Sequence, residues 1–184
     1  PGVRPDFGYS KNSIERFYEF AGRRPPPMST QLNRSLRSNL AWNAWRRAQV
    51  TLLVFEIKEM LNEIAPEIEL SAAVVAAHER AYGEFYQDWS EWLRGKVLDA
   101  AVLMNYSRDN SLVVQRTQYA LRSGSGKRVL VGLGAWLMKG EAGLLAAQAK
   151  GALQAGTGGV VLFSYSNLAS PDGKELVQDF FRSV

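Results

Sequence analysis

Two carboxylates in this 184-residue sequence stand where they could move a proton or hold a hydroxyl. Asp109 closes the run Asn105-Tyr106-Ser107-Arg108-Asp109, and Glu79 adjoins His78, the only histidine of the chain. A carboxyl group at the edge of a cleft can serve as general acid, base or nucleophile, and a neighbouring imidazole can orient it. Each also has a plainer reading. Asp109 and Asn110 precede a helical pattern, so Asp109 can cap it or pair with Arg108, and Glu79 can be an exposed loop charge. A second set is aromatic and polar. Asn105, Tyr106, Trp136 and Tyr165 fall at the ends of three separate apolar runs. There, ring faces can stack on a ligand ring while amide and phenol groups hydrogen-bond its hydroxyls, and packing is the alternative for any one of them. Trp45 and Arg46, with Trp42 and Arg47, open a long helical pattern. From that position Arg46 can meet an anionic or acetamido-bearing ligand, or else form a surface ion pair or stack on Trp42.

Three other patterns carry no chemistry. Gly132-Leu133-Gly134 has Leu137 where a dinucleotide fingerprint needs its third glycine, and no helix pattern opens there. Ser123 to Lys127 lacks the first glycine and the following Ser or Thr of a phosphate loop. Trp89 and Trp92, three apart on a helical pattern, are expected to pack that helix onto a sheet. The sequence has no cysteine and one histidine, so no thiolate or multi-histidine metal site is expected, and no organic cofactor is implied. No lysine lies inside a strand pattern, which disfavours Schiff-base chemistry.

The elements that would position these residues repeat. Apolar, β-branched runs cover Ile68 to Val75, Val97 to Tyr106, Arg128 to Trp136 and Gly159 to Tyr165. Their hydrophobicity is continuous rather than alternating, as in parallel strands covered on both faces. Helical patterns follow each: Tyr82 to Arg94, Ser111 to Arg122, Glu141 to Ala155 and Asp172 to Arg182. Strand starts at 68, 97, 128 and 159 give intervals of 29, 31 and 31 residues, close to a βαβ unit of about 30. Gly95, Gly124 with Gly126, and Gly156 sit between helix and strand, where a left-handed cap is expected. Upstream, Leu40 to Ala65 reads as one helix carrying Val50, Val54, Ile57, Leu61 and Ile64 on one face, stopped by Pro66. Ser13 to Ala21 reads as a short helix, and Arg23 to Ser35 as a loop. The expected layout is a leading segment of loop and helices over 1–66, then strand-helix units over 67–184.

With 46% hydrophobic and 11% aromatic residues, the chain can bury a core. Its net charge of +4 is spread along the sequence, which argues against a nucleic-acid partner. No apolar run is long enough to span a bilayer.

Phe7-Gly8-Tyr9-Ser10, Ser13-Ile14-Glu15-Arg16-Phe17 and Trp42-Asn43-Ala44-Trp45-Arg46-Arg47 with Val50 resemble glycosyl hydrolase-like family 10. The resemblance continues through Leu98-Asp99, Met104-Asn105-Tyr106, Val131-Gly132-Leu133 and Gly159 to Tyr165. It implies a (β/α)8 TIM barrel of the glycoside-hydrolase type, of which this chain supplies about the last four strand-helix units. It also implies a bacterial glycosidase acting on a polysaccharide, with cell-wall glycan as a substrate class and the cell envelope as location. The family's acidic fourth-strand passage would end at Pro1-Gly2, placing the main catalytic acids before residue 1. The chain alone is then expected to be inactive, with an N-terminal half-barrel or another chain closing its sheet. Ser71-Ala72-Ala73-Val74 lacks the proline of the family's Ser-x-x-Pro, which keeps a non-catalytic carbohydrate-binding barrel open as the alternative. Barrel sites sit at the C-terminal strand ends, where Glu79, Asn105 to Asp109, Trp136 and Tyr165 fall. Glycoside hydrolysis there asks for two carboxylates.

Overall fold

The computed structural model of the protein describes residues 8–122 and 128–183. Three helices come first, α1 (Lys11–Phe20), α2 (Thr30–Arg37) and α3 (Leu40–Ile64), and lead into β1 (Ser71–Val75). Two short helices, α4 (His78–Glu84) and α5 (Trp89–Arg94), connect to β2 (Ala100–Met104), and α6 (Asn110–Arg122) connects to β3 (Val129–Gly134). A 3-10 turn (Ala135–Met138) and α7 (Ala142–Gln154) lead to β4 (Gly159–Phe163), followed by α8 (Tyr165–Leu168) and α9 (Pro171–Ser183).

The strands form one sheet in the order β1-β2-β3-β4, every pair parallel, as the continuous apolar runs and their spacing predict. Register rows alternate between two environments. Val74, Leu103, Val131 and Val160 share a row that faces helices, and Trp89, Trp92 and Leu93 of α5 pack on its β1 and β2 members. Toward β3 and β4, Leu145 and Ala149 of α7 and Phe180 of α9 supply the cover. The intervening rows, Ala73-Val102-Leu130 and Met104-Gly132-Val161, line the opposite face, where Ala73 is exposed and Val102, Met104, Leu130 and Val161 are only half-buried. Trp89 and Trp92 thus pack as expected.

Several expectations are corrected. Tyr82 to Arg94 is not one helix: the chain leaves α4 at Phe85, and Tyr86 takes φ 58°. The Gln87 side chain then accepts the Val75 N–H (2.9 Å), which draws the connection onto the end of β1 and breaks the helical path. The stretch expected as loop holds most of α2, because Ser29 Oγ accepts the Leu32 N–H (3.0 Å) and nucleates a turn after the prolines. Gly95 has φ −76°, and the left-handed residue is its neighbour Lys96 at 57°; Gly156 does cap left-handed at 95°. Gly124 and Gly126 lie outside the described residues. Along α3, Val50 and Val54 join the core but Ile64 is exposed. A helix of 25 residues runs about 37 Å against about 17 Å for a strand of five, so its last turns overrun the sheet.

At the opposite end from the strand C-termini, Asp99 ties three elements. Its carboxylate accepts from Lys58 Nζ on α3 (2.8 Å) and from the Leu70 N–H ahead of β1 (2.7 Å), just before β2 begins. The Lys58 hydrogen bond, with the Leu70 N–H, holds the Asp99 carboxyl below its ordinary range. A depressed folded-state pKa means that the stabilisation is present above the unfolded value of about 3.9 and is lost as pH falls through the folded value. Asp99→Asn is therefore expected to cost about 1–2 kcal/mol near neutral pH and to flatten the acid limb of stability, measured by urea unfolding between pH 7 and pH 3. An unchanged acid limb in the variant would remove Asp99 from that role.

Candidate functional site

A parallel sheet sends every strand's C-terminus to one end, and the residues that follow β2, β3 and β4 meet there. The Tyr106 ring lies edge-on to Trp136 (centroids 4.8 Å) and tilted against Phe163 (5.5 Å). Each comes from a different strand end: Tyr106 just past β2, Trp136 in the 3-10 turn after β3, Phe163 as the last residue of β4. β3 carries glycine where it comes closest to β2. A Cβ on Gly132 would stand 2.7 Å from the Leu103 carbonyl oxygen and 3.4 Å from the Phe163 ring. Burial raises the Tyr106 phenol above its ordinary pKa, so near neutral pH it is a neutral hydrogen-bonding group on an apolar wall. Trp136 is 36% exposed and offers ring surface to a ligand.

The loops that carry Tyr106 and Trp136 are clamped to each other. Arg108 Nη1 donates to the Leu137 carbonyl (2.6 Å), and Nη2 donates to both Glu141 oxygens (2.6 and 2.8 Å). This two-pronged contact ties the residue two beyond Tyr106 to the residue after Trp136. It also occupies Glu141, the carboxylate that follows β3.

The carboxylates read from the sequence take other tasks. Asp109 Oδ1 accepts the N–H groups of Ser111 (2.8 Å) and Leu112 (3.2 Å) and the Ser111 hydroxyl. The Ser111 hydroxyl first, and then the backbone N–H groups, lower its pKa, so it is an ionised helix cap and not a proton donor near neutral pH. Glu79 lies exposed in the first turn of α4. His78 does not orient it: the imidazole packs among Tyr119 (5.0 Å), Trp89 (5.8 Å) and Tyr82 (6.2 Å). Asp109 is thus held as a helix cap, and Glu79 stands exposed on α4.

The binding residues divide. Tyr106 and Trp136 come together. Asn105 is wholly buried, its Nδ2 donating to the Val113 carbonyl (3.0 Å) and Thr117 Oγ1 (3.4 Å), so it braces α6 and does not face a ligand. Tyr165, at the start of α8, is 84% exposed and stands apart from the ring cluster. Trp45 and Arg46 open onto a separate cavity of about 410 Å³ between α1, α3 and the α4–α5 connection, walled also by Val50, Phe85 and Tyr86. Trp45 itself is largely buried, stacked on Trp42 (5.3 Å) and edge-on to Phe17 (5.7 Å). Arg46 Nη1 donates to the Tyr86 hydroxyl (2.6 Å), with the guanidinium over the Tyr86 ring (4.1 Å). Phe163 and Tyr86 were not singled out from sequence. A glycine inside a strand signals close approach and could have pointed to Phe163's neighbour, but nothing in the sequence marks Tyr86.

A family model described as glycosyl hydrolase-like 10 matches residues 2–133. The matched segment runs through α1–α6 and nearly all of β3, so Tyr106 lies within it and Trp136, Phe163 and Tyr165 lie beyond it. No curated protein and no solved structure matches this chain.

Gly132→Ala is expected to press on the Leu103 carbonyl, part β3 from β2 locally and cost about 1–3 kcal/mol, read as a lower urea midpoint. Preserved stability, with an unchanged near-ultraviolet aromatic signal, would show that β3 has room for the methyl group.

Proposed function

Because the chain belongs to the glycosyl hydrolase-like 10 family, we propose that its substrate is a polysaccharide bound across the C-terminal strand ends, with cell-wall glycan as the substrate class. The observation that carries this reading is the convergence of Tyr106, Trp136 and Phe163 from three strands. A pyranose presents an apolar face to an aromatic ring and hydroxyls to polar neighbours, and a half-exposed Trp136 backed by two rings is a rigid platform for it. Tyr165, on the same rim, is within the reading as a second contact.

The sheet face that the described residues leave half-buried fits the interior of a (β/α)8 barrel. Val102, Met104, Leu130 and Val161 need cover, and in a barrel these rows are closed by facing strands. α3 adds exposed Leu53, Met60 and Ile64, an apolar surface suited to a preceding strand-helix unit. Hydrolysis by this family reading requires two carboxylates, which the completed barrel would supply.

A second reading is a carbohydrate-binding barrel without hydrolysis. It is favoured by the rim carboxylates themselves, since Asp109 caps α6 and Glu141 is held by Arg108. Release of new reducing ends from glycan by the full-length protein separates the two readings.

Trp136→Ala in the full-length protein is expected to weaken glycan binding about tenfold or more while shifting the melting temperature by a few degrees at most. Equal losses of binding and stability would assign Trp136 to packing. A chain limited to residues 1–184 is expected to release no reducing ends, and turnover by it would place the catalytic pair within these residues.

A further inference from the structure

The cavity beside α3 shares no lining residue with the aromatic rim, yet it opens at the same end of the sheet. The bond from the Val75 N–H to Gln87 Oε1 (2.9 Å) pins the α4–α5 connection to the C-terminal end of β1. Trp45 and Arg46 lie in the early turns of α3, which face the cavity. The rim occupies the ends of β2, β3 and β4. Cavity and rim thus lie at the same end of the sheet, the cavity in the helix layer beside β1.

The cavity is built rather than incidental. Tyr86 holds φ 58°, a left-handed conformation that a bulky residue keeps only where its surroundings fix it. What fixes it is a chain of contacts: the Tyr86 hydroxyl donates to Asn43 Oδ1 (3.1 Å) and accepts from Arg46, whose guanidinium also lies over the Tyr9 ring (5.0 Å). The result is a flat aromatic and guanidinium wall. Asn12 and Gln49 line the same space. A side-chain amide offers both a donor and an acceptor, which is the complement of an acetamido group. About 410 Å³ lies within the range of small-ligand sites and has room for a sugar ring.

We propose that this cavity is a distal subsite for an acetamido-bearing pyranose of the same glycan chain whose other rings lie on the Tyr106–Trp136 rim. The inference rests on the glycan-binding reading above and adds to it a requirement for length. A one- or two-ring ligand occupies the rim alone, whereas a longer chain also reaches Gln49, Phe85 and Tyr86. The protein therefore selects extended polymer over short fragments through tethering of the second contact to the first.

The experiment is calorimetric titration of the full-length protein with β-1,4-linked N-acetylglucosamine oligomers of increasing length, from the dimer to about eight rings. Affinity is expected to rise with length in the parent protein. A Gln49→Ala/Phe85→Ala double variant should lose about tenfold at the longest oligomer and nothing at the dimer, as expected when hydrogen-bonding and stacking contacts to one ring are removed. Trp136→Ala should weaken every length. Asn12→Ala, at an exposed position, repeats the length-selective loss should the double variant fold poorly. The proposal is overturned, with the rim reading intact, if the pocket variants bind long oligomers as tightly as the parent, or lose dimer and long oligomer equally, while Trp136→Ala weakens all. If no oligomer binds the parent protein, the glycan reading fails and this inference fails with it.

Discussion

The arrangement depends on a parallel hydrogen-bonded ladder with neighbouring strands taken in chain order. Parallel pairing allows no hairpins, so each connection must cross back along a helix. Every loop that leaves a strand's C-terminus then emerges at one end and every return at the other. That single constraint gathers Tyr106, Trp136 and Phe163 from separate parts of the chain and brings the Gln87 contact to the same end. It also assigns Asp99 and Lys58 to the far end, where a charged tie can brace α3, β1 and β2 away from the aromatic rim.

The strands were legible because burial on both sides leaves a continuous apolar signature, and Val129-Leu130-Val131 and Val160-Val161-Leu162 carry it plainly. The helices over α6 and α7 were legible from their length. The division between α4 and α5 was not, because it depends on Gln87 reaching a backbone N–H twelve residues away, and no periodicity encodes such a contact. Asn105 shows the same limit. Its position after β2 fits a ligand contact, but its orientation follows from α6 packing close enough for the Val113 carbonyl to take its amide. Sequence locates a residue on an element, whereas tertiary packing decides which way it faces.

The acids show how electrostatics narrows a functional reading. A carboxylate that donates a proton needs an environment that favours its neutral form, by desolvation or by a like charge. Asp109 has the reverse, a cage of donors at a helix start, and Glu141 has a guanidinium against both oxygens. These partners stabilise charge and hold loops in place. On the proposed reading the rim is a surface for positioning, made of neutral rings, a phenol and a clamp between loops.

Position without acid is still part of catalysis, since orientation of a bound chain supplies much of the advantage of any enzyme-held reaction. It demands rigidity, and the rim obtains it from neighbours that have no ligand contact of their own. Gly132 lets β3 lie against the Leu103 carbonyl of β2, and Arg108 fixes the turn that presents Trp136. Around the cavity, Tyr86 is set by Arg46 and Asn43 in the same way. In both places a ring is presented by a polar or backbone contact behind it, so the surface is fixed before a ligand arrives and binding does not have to order it.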